Sequence, residues 1–193
     1  STFYILHSTF YIPNGHWHTG HPASPSALRC ASPTPYLAPV NFLGHLILSG
    51  DDPHVITGNF MADAVKGRDL SAHPPGVQEG IRLHRRIDVF TDQHPLTLAG
   101  RERLRAHCGK YAGVALDLFY DHCIALEWHS HSTEPLPRYA RRMYTLLQAH
   151  AHLMPARTQA MLPYLVRGDW LSGYATLQGI GRALHGLSQR APM

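Results

Sequence analysis

The 193-residue sequence is poor in cysteine, in long apolar runs and in the alternating pattern of β-strands. Its three cysteines, Cys30, Cys108 and Cys123, lack zinc-site or disulfide-framework spacing, so we expect free thiols in a reducing, cytoplasmic compartment. No apolar run is long enough to cross a membrane. The sequence also has no glycine-rich phosphate loop and no Gly-x-Ser-x-Gly turn, which argues against nucleotide-binding P-loop proteins and α/β-hydrolases.

The composition is that of a compact folded protein. Hydrophobic residues make up 44% of the chain and charged residues only 16%, which excludes a disordered chain and allows one domain with a real core. The formal charge of +4 fits an acidic partner, and the 16 histidines add positive charge below neutral pH. The basic residues are spread over several segments without interleaved aromatics, so we expect no nucleic-acid partner.

The first 39 residues differ from the rest. The pentapeptide Ser-Thr-Phe-Tyr-Ile occurs at Ser1 and again at Ser8, and a stretch rich in Pro, Ser and His follows up to Pro39. It lacks the basic and apolar regions of a signal peptide. We therefore interpret residues 1–39 as a poorly structured extension or an artefact of the start assignment, and residues 40–193 as one helical domain.

From Val40 onward, apolar residues recur at helical spacing and the pattern breaks at Pro and Gly. Strand alternation is scarce, and no strand–helix–strand rhythm is present. The sequence therefore predicts an all-α fold. The predicted helices cover residues 55–66, 75–91, 96–107, 114–129, 136–153, 155–167 and 169–187, with Asp169 capping the last one.

Polar residues interrupt the apolar face of the predicted helix 75–91. His84 and Asp88 are four residues apart, so they share a face that also carries Val77 and Ile81. Burying a carboxylate is costly unless it is paired or bound to a metal. A histidine and an aspartate together on an apolar face therefore favour a functional site.

The same pattern recurs in other segments. Asp117 and Asp121 lie on the apolar face of the helix 114–129, and His45 interrupts the apolar run near residue 45. In the helix 55–66, Asn59 and Asp63 are four residues apart. Imidazole and carboxylate are the ligands expected for Mn, Fe, Zn or Mg. The alternative is a set of buried salt bridges and helix caps. The repetition of inward His and Asp residues on three helices favours a metal site over that alternative.

Four blocks of sequence carry a family resemblance. Residues 40–46 read Val-Asn-Phe-Leu-Gly-His-Leu, and residues 58–67 read Gly-Asn-Phe-Met-Ala-Asp-Ala-Val-Lys-Gly. Residues 80–95 read Gly-Ile-Arg-Leu-His-Arg-Arg-Ile-Asp-Val-Phe-Thr-Asp-Gln-His-Pro, and residues 117–122 read Asp-Leu-Phe-Tyr-Asp-His. In order and spacing these blocks resemble the acyl carrier protein phosphodiesterase (hydrolyase) family.

The resemblance implies a fold, a reaction and a metal. The family is similar to the all-helical HD-type metal-dependent phosphohydrolases. Its members remove the 4′-phosphopantetheine group from holo acyl carrier protein, and manganese is their usual metal. By position, the resemblance favours Asp63, His84, Asp88 and Asp121 as metal ligands, with His45, Asp117 and His122 next.

Phosphodiester chemistry suggests roles for further residues. A divalent cation can lower the pKa of a bound water and neutralise charge on phosphoryl oxygens. Lys66 and Arg85 could clamp those oxygens, or could instead pair with nearby carboxylates. Asp92 or His94 could orient a ligand or protonate the departing serine oxygen, although capping the helix end is an equal alternative for Asp92.

Acyl carrier proteins are acidic, so a basic surface is expected to dock one. The candidate docking residues, most of which would otherwise form a solvated face, are Arg82, Arg86, Arg101, Arg103, Arg105, Arg138, Arg141 and Arg142. Two alternatives stay open: a phosphohydrolase acting on a nucleotide or another phosphoester, and a truncated, non-catalytic helical protein that binds a carrier protein. The second stays open because the family usually continues into a further C-terminal helix.

Overall fold

The computed structural model describes residues 41–188, which form α-helices joined by turns and, within that range, no β-strand. This confirms the all-α prediction. The predicted extension 1–39 lies outside the described residues. In chain order the helices are α1 (Phe42–Ile47), α2 (Pro53–Met61), α3 (Pro75–Gln93), α4 (Pro95–Cys108), α5 (Ala112–Leu126), α6 (Leu136–Ala149), α7 (Ala156–Arg167), α8 (Trp170–Gly173) and α9 (Leu177–Ser188).

Local sequence signals set the helix starts. Proline occupies the first turn of α2, α3 and α4, where its missing N–H costs nothing. The Asp52 carboxylate accepts hydrogen bonds from the backbone N–H groups of His54 and Val55 and so caps α2. At the start of α4, Nδ1 of His94 accepts a hydrogen bond from the N–H of Leu96.

The core is one continuous apolar cluster. Helix α2 packs along α3, α4 packs along α5, and α1 lies against both α2 and α5. Helices α6, α7 and α8 pack together, and α9 contacts α5 and α8. Side chains buried in this cluster include Leu43, Leu46, Ile56, Met61, Val77, Ile81, Leu118, Met143, Leu147, Leu165 and Leu171.

Two glycines let α2 and α3 approach backbone to backbone. A Cβ atom at Gly58 would lie 2.1 Å from the carbonyl oxygen of Val77, and one at Gly80 would lie 2.2 Å from that of Val55. Both distances are far inside van der Waals contact, so these positions require glycine. The close approach brings the side chains of neighbouring residues on the two helices into hydrogen-bonding range.

The predicted helix 55–66 was wrong at its end, because α2 stops at Met61 and continues as a short 3₁₀ turn, Ala62–Ala64. Val65 is extended, and Gly67 has φ +82°, which glycine adopts readily. The chain therefore leaves the helix just before Asp63. This places Asp63 and Lys66 on an exposed turn rather than on a buried helix face.

The predicted last helix 169–187 was also wrong, because it is two helices, α8 and α9. A Cβ atom at Gly179 would lie 2.0 Å from the carbonyl oxygen of Gly173, so the chain folds back sharply between them. Asp169 has φ 42° and makes no capping hydrogen bond. Its carboxylate instead accepts a hydrogen bond from the Tyr144 hydroxyl at 2.9 Å.

Similarly, the predicted helix 136–153 ends earlier, at Ala149, and a 3₁₀ turn Ala151–Leu153 follows.

Across residues 41–188, no helix combines the length and the apolar character needed to cross a membrane. Cys108 and Cys123 are free thiols, as their spacing predicted.

Candidate metal centre

Three side chains from α1 and α3 converge beside α2. One ligand atom from each of His45, His84 and Asp88 lies within 4.8 Å of the others. Nε2 of His45 is 3.3 Å from one carboxylate oxygen of Asp88, and Nε2 of His84 is 3.2 Å from the other. Both histidines are buried, whereas the Asp88 side chain is 41% exposed. The two histidines therefore form the buried side of the group, and the carboxylate forms the side that faces solvent.

The two imidazole rings are stacked. Their centroids lie 4.0 Å apart and their planes differ by 23°. Nδ1 of His45 lies 2.8 Å and Nδ1 of His84 lies 3.1 Å from the side-chain oxygen of Asn59 on α2, which is fully buried. Both rings thus direct Nδ1 toward Asn59 and Nε2 toward the carboxylate of Asp88.

Asp63 adds a second carboxylate. One of its oxygens lies 3.3 Å from Nε2 of His84, and its side chain is 46% exposed. The 3₁₀ turn after α2 positions it, since the turn directs the chain across α3. A ligand that met Nε2 of both histidines would face Asp63 and Asp88 on its solvent side.

The histidine and carboxylate stabilise each other's charged forms. Burial lowers the pKa of His84, but hydrogen bonding and attraction to Asp63 and Asp88 outweigh it and raise that pKa to about 9. Burial raises the pKa of Asp88, but its contacts with His45 and His84 hold it well below the usual range. At neutral pH a proton on His84 occupies the place that a cation would otherwise take.

Further carboxylates surround the group. Asp117 on α5 is half-buried, and burial is the main cause that raises its pKa to about 7. Attraction to Arg101 opposes this rise, whereas the negative charges of Asp92, Asp88 and Asp63 reinforce it. Excess negative charge around two imidazoles is the setting in which a divalent cation is stabilising.

Two of the predicted ligands lie elsewhere. Asp121 is fully buried, and its carboxylate accepts hydrogen bonds from the backbone N–H groups of Leu43 at 3.0 Å and Gly44 at 2.8 Å. It therefore caps α1, the helix that carries His45. His122 donates from Nδ1 to the backbone carbonyl of Tyr174. The structure brings neither residue into the His45–His84–Asp88 group.

The three predicted catalytic residues lie on α3 and on the turn that follows α2. The Arg85 guanidinium donates to the backbone carbonyls of Val65 and Gly67, which fixes the turn that carries Lys66. Lys66 itself is exposed on that turn. Asp92, one turn beyond Asp88 on α3, pairs with Arg101 of α4. The predicted pairing of Arg85 with a carboxylate is thus replaced by contacts to carbonyl groups.

Asn59 had no predicted role, although its position one turn before Asp63 is visible in the sequence. Its amide N–H groups donate to the backbone carbonyl of His45 at 3.0 Å and to the Ser49 hydroxyl at 2.8 Å. A buried amide between two histidines from different helices could not be identified without knowing that α1 and α3 meet at α2.

A metal ion fits the residues present. Nε2 of His45 is buried and, among the described residues, has no hydrogen-bond partner of acceptable geometry, although Asp88 is near. A buried polar atom without a partner is costly, and a coordinated cation would satisfy it. Two imidazoles with one or two carboxylates form a donor set suited to Mn, Fe or Zn.

Residues 41–188 thus form an all-helical fold with a histidine–carboxylate group that is open to solvent and suited to a divalent cation. Comparison with known proteins agrees: the family profile described as acyl carrier protein phosphodiesterase matches residues 40–193. The chain is 34% identical over 154 residues to the acyl carrier protein phosphodiesterase of Photorhabdus laumondii, covering 79% of this chain and 78% of that protein. Proteins of the same name from Enterobacter sp. strain 638 and Yersinia pestis are also 34% identical, covering 79% of this chain and 80% of theirs.

No solved structure shows a significant match. The family profile covers most of the chain, and the relatives match over most of their own length. The chain therefore belongs to the acyl carrier protein phosphodiesterase family. The profile includes all four residues of the site, His45, Asp63, His84 and Asp88.

Proposed function

We propose that this protein is a metal-dependent phosphodiesterase that hydrolyses 4′-phosphopantetheine from holo acyl carrier protein. The observation that carries the proposal is the convergence of His45, His84 and Asp88 in a member of this family. The relatives' name supplies the substrate class. The free thiols Cys108 and Cys123 support a reducing, cytoplasmic setting.

The metal we favour is Mn²⁺, held by Nε2 of His45 and His84 and by the carboxylates of Asp88 and Asp63. This follows from the mixed nitrogen–oxygen donor set and from the family resemblance. When bound, such an ion supplies Lewis acidity and a water of lowered pKa. His45 and His84 form the rigid, buried half of the site, and the two exposed carboxylates form the half that meets solvent.

In the reaction a water oxygen bonds to phosphorus, the bond from phosphorus to the serine oxygen breaks, and the serine oxygen takes one of the two protons of that water. Lys66 lies on the exposed turn next to Asp63, where its ammonium can approach a phosphoryl oxygen. Arg85 keeps that turn in place through its two carbonyl contacts. Asp92 holds Arg101 at the edge of the site, which makes it a positioning residue in this proposal.

A basic cleft offers a docking place for an acidic carrier protein. Arg101, Arg105 and Lys110 line a cleft of about 600 Å³ at the junction of α4 and α5. Arg101 links it to the metal centre through Asp92. Most of the candidate arginines, including Arg101 and Arg105, pair with a carboxylate, but the cleft also gathers three cations around one concave surface. The cleft is therefore the favoured docking surface.

The test is intact mass spectrometry of holo acyl carrier protein after incubation with the protein and Mn²⁺. We expect the mass to fall by one 4′-phosphopantetheine group, leaving the apo carrier protein. The variants His84→Ala and Asp63→Ala should leave the holo mass unchanged while circular dichroism shows a folded protein. Arg167→Ala, an exposed change on α7, is the matched control and should retain activity.

The outcomes separate the alternatives. The holo mass could stay unchanged while the protein binds Mn²⁺ tightly and hydrolyses a nucleotide or a small phosphoester. In that case the substrate would be that compound and not holo acyl carrier protein. An unchanged mass with no Mn²⁺ binding, but with measurable binding of the carrier protein, would favour the non-catalytic alternative.

A further inference from the structure

The side chain of Asn59 has all its hydrogen-bonding capacity in use. Its oxygen faces Nδ1 of His45 and Nδ1 of His84, and its nitrogen faces the backbone carbonyl of His45 and the hydroxyl of Ser49. An amide has two acceptor lone pairs and two N–H donors. Each of the four has one partner, and the residue is fully buried.

These partners fix which end of the amide is oxygen. A backbone carbonyl can only accept, so the end that meets the carbonyl of His45 must be the NH₂ group. Ser49 donates its hydroxyl hydrogen to the same carbonyl at 2.8 Å, which leaves its oxygen free to accept from Asn59. A flipped amide would set two acceptors against each other inside the core.

The orientation of the amide dictates the state of both rings. An amide oxygen only accepts, so Nδ1 of His45 and Nδ1 of His84 must both carry hydrogen. In a neutral imidazole the other nitrogen then bears the lone pair. Both lone pairs are on Nε2, and both Nε2 atoms face Asp88.

We infer that Asn59 is a positioning residue that sets both histidines, through one oxygen atom, in the tautomer that offers Nε2 to a metal ion. Histidine ligands usually donate their second ring N–H to a separate partner each. Here one amide serves two rings from two helices. The inference rests on the proposed metal centre and assigns to α2 a function that its other buried residues lack.

The same geometry explains why the amide must be rigid. Gly58 and Gly80 allow α2 and α3 to touch, so Asn59 cannot withdraw from His84 without separating the helices. Its bonds to Ser49 and to the carbonyl of His45 tie it to α1 in the same way. Rotation of either ring would therefore break a buried hydrogen bond.

The experiment is titration of the metal-free protein with Mn²⁺, followed calorimetrically, for wild type, Asn59→Leu and Asn59→Asp. Leucine has a similar volume but no acceptor, and we expect about 10–100-fold weaker binding, the usual effect of removing such a partner. Aspartate keeps an acceptor for both rings, so it should bind Mn²⁺ more tightly than the leucine variant, although its second oxygen meets the carbonyl of His45 and prevents a full return to wild-type affinity. Thr57→Val removes a buried hydroxyl that donates to the carbonyl of Pro53 on the same helix, and should leave the affinity unchanged.

A second measurement needs no variant. In the Zn²⁺-loaded wild-type protein, ¹⁵N–¹H correlation spectra of the imidazoles should show hydrogen on Nδ1 and metal on Nε2 for both His45 and His84. Coordination through Nδ1 of either ring would overturn the inference, as would wild-type affinity in a folded Asn59→Leu protein. Failure of the wild-type protein to bind Mn²⁺ or Zn²⁺ would overturn the metal centre itself, whereas the other two outcomes remove only the role of Asn59.

Discussion

The rings of His45 and His84 lie face to face, with centroids 4.0 Å apart, and both direct Nε2 at the same carboxylate, Asp88. Positive charge between the rings and the carboxylates therefore stabilises the arrangement, whether a proton on His84 or a metal ion carries it.

The first prediction concerns the pH dependence of the metal-free protein. The pKa of His84 is raised from 6.5 to about 9, so its charged form stabilises the folded state. This contribution is fully present below pH 6.5 and is lost as pH rises through about 9. Since one pKa unit corresponds to about 1.4 kcal/mol, the loss amounts to at most roughly 3 kcal/mol. Urea unfolding in chelator between pH 6 and 10 measures it.

His84→Gln is the control for that experiment, because glutamine cannot carry the charge. Its unfolding free energy should change less over the same pH range. An equal fall in both proteins would assign the pH dependence to other groups.

The second prediction concerns the pH dependence of metal binding. A metal ion and a proton compete for Nε2 of His84, so Mn²⁺ affinity should rise with pH until about pH 9 and binding should release a proton at neutral pH. Calorimetry in buffers of different ionisation enthalpy counts the released protons. Binding without proton release at pH 7 would mean that His84 is not a ligand.

The third prediction separates two aspartates that looked alike in the sequence. Asp121 caps α1 from the core. Asp121→Ala should lower the unfolding free energy by about 3 kcal/mol, because it leaves the N–H groups of Leu43 and Gly44 without an acceptor. Asp121→Asn keeps one acceptor but sets its NH₂ group against the other backbone N–H, so it should lower the unfolding free energy less than alanine does, and the folded variant should bind Mn²⁺ with nearly wild-type affinity. Asp88→Asn should fold but lose most of that affinity. If Asp88→Asn and Asp121→Asn lost Mn²⁺ affinity to the same extent, Asp121 would be a metal ligand as well.

The fourth prediction tests the contact between α2 and α3. Gly80→Ala places a methyl group 2.2 Å from the Val55 carbonyl oxygen, which should cost roughly 2–3 kcal/mol of stability and weaken Mn²⁺ binding by displacing His84. Gly181→Ala on α9 meets no atom within 4 Å and should be neutral or stabilising by up to about 1 kcal/mol. Chemical denaturation compares the two variants, and similar stabilities would refute the packing argument.

Helical periodicity predicted the fold class and the inward side chains of α3, because Val77, Ile81 and His84 follow one face of a long regular helix. It failed at Asp63, since the irregular turn after Met61 depends on a glycine with positive φ and on contacts of Arg85 from another helix. Periodicity is a property of one helix, so it cannot report contacts between helices.

The same limit explains the site. The sequence could show that Asp88 and Asp121 face inward, but not that one meets histidines and the other meets the N-terminus of α1. The Asp88 side chain is 41% exposed whereas Asp121 is fully buried, but both interrupt the apolar face of a helix and so look identical in a hydropathy pattern. The role of Asn59 was hidden for a related reason, because its partners come from α1 and α3.

The last prediction concerns docking of the carrier protein. Arg105 and Lys110 line the basic cleft, and the only ion pair described for Arg105 is an exposed one with Glu102, a kind that contributes little. Replacing both by glutamate should raise KM for holo acyl carrier protein severalfold and leave kcat nearly unchanged, because the reacting groups are untouched. The wild-type KM should itself rise with salt, and the variant's KM should depend on salt less steeply or in the opposite sense.

The double variant Arg167→Glu and Arg182→Glu is the matched control, since it reverses the same number of charges at exposed positions on α7 and α9 that are not candidate docking residues. Its KM should stay close to wild type. If this control raised KM as much as the cleft variant does, the effect would come from net charge rather than from the cleft. If instead the cleft variant lowered kcat alone, Arg105 and Lys110 would act on the bound phosphodiester, and the docking surface would have to be sought elsewhere.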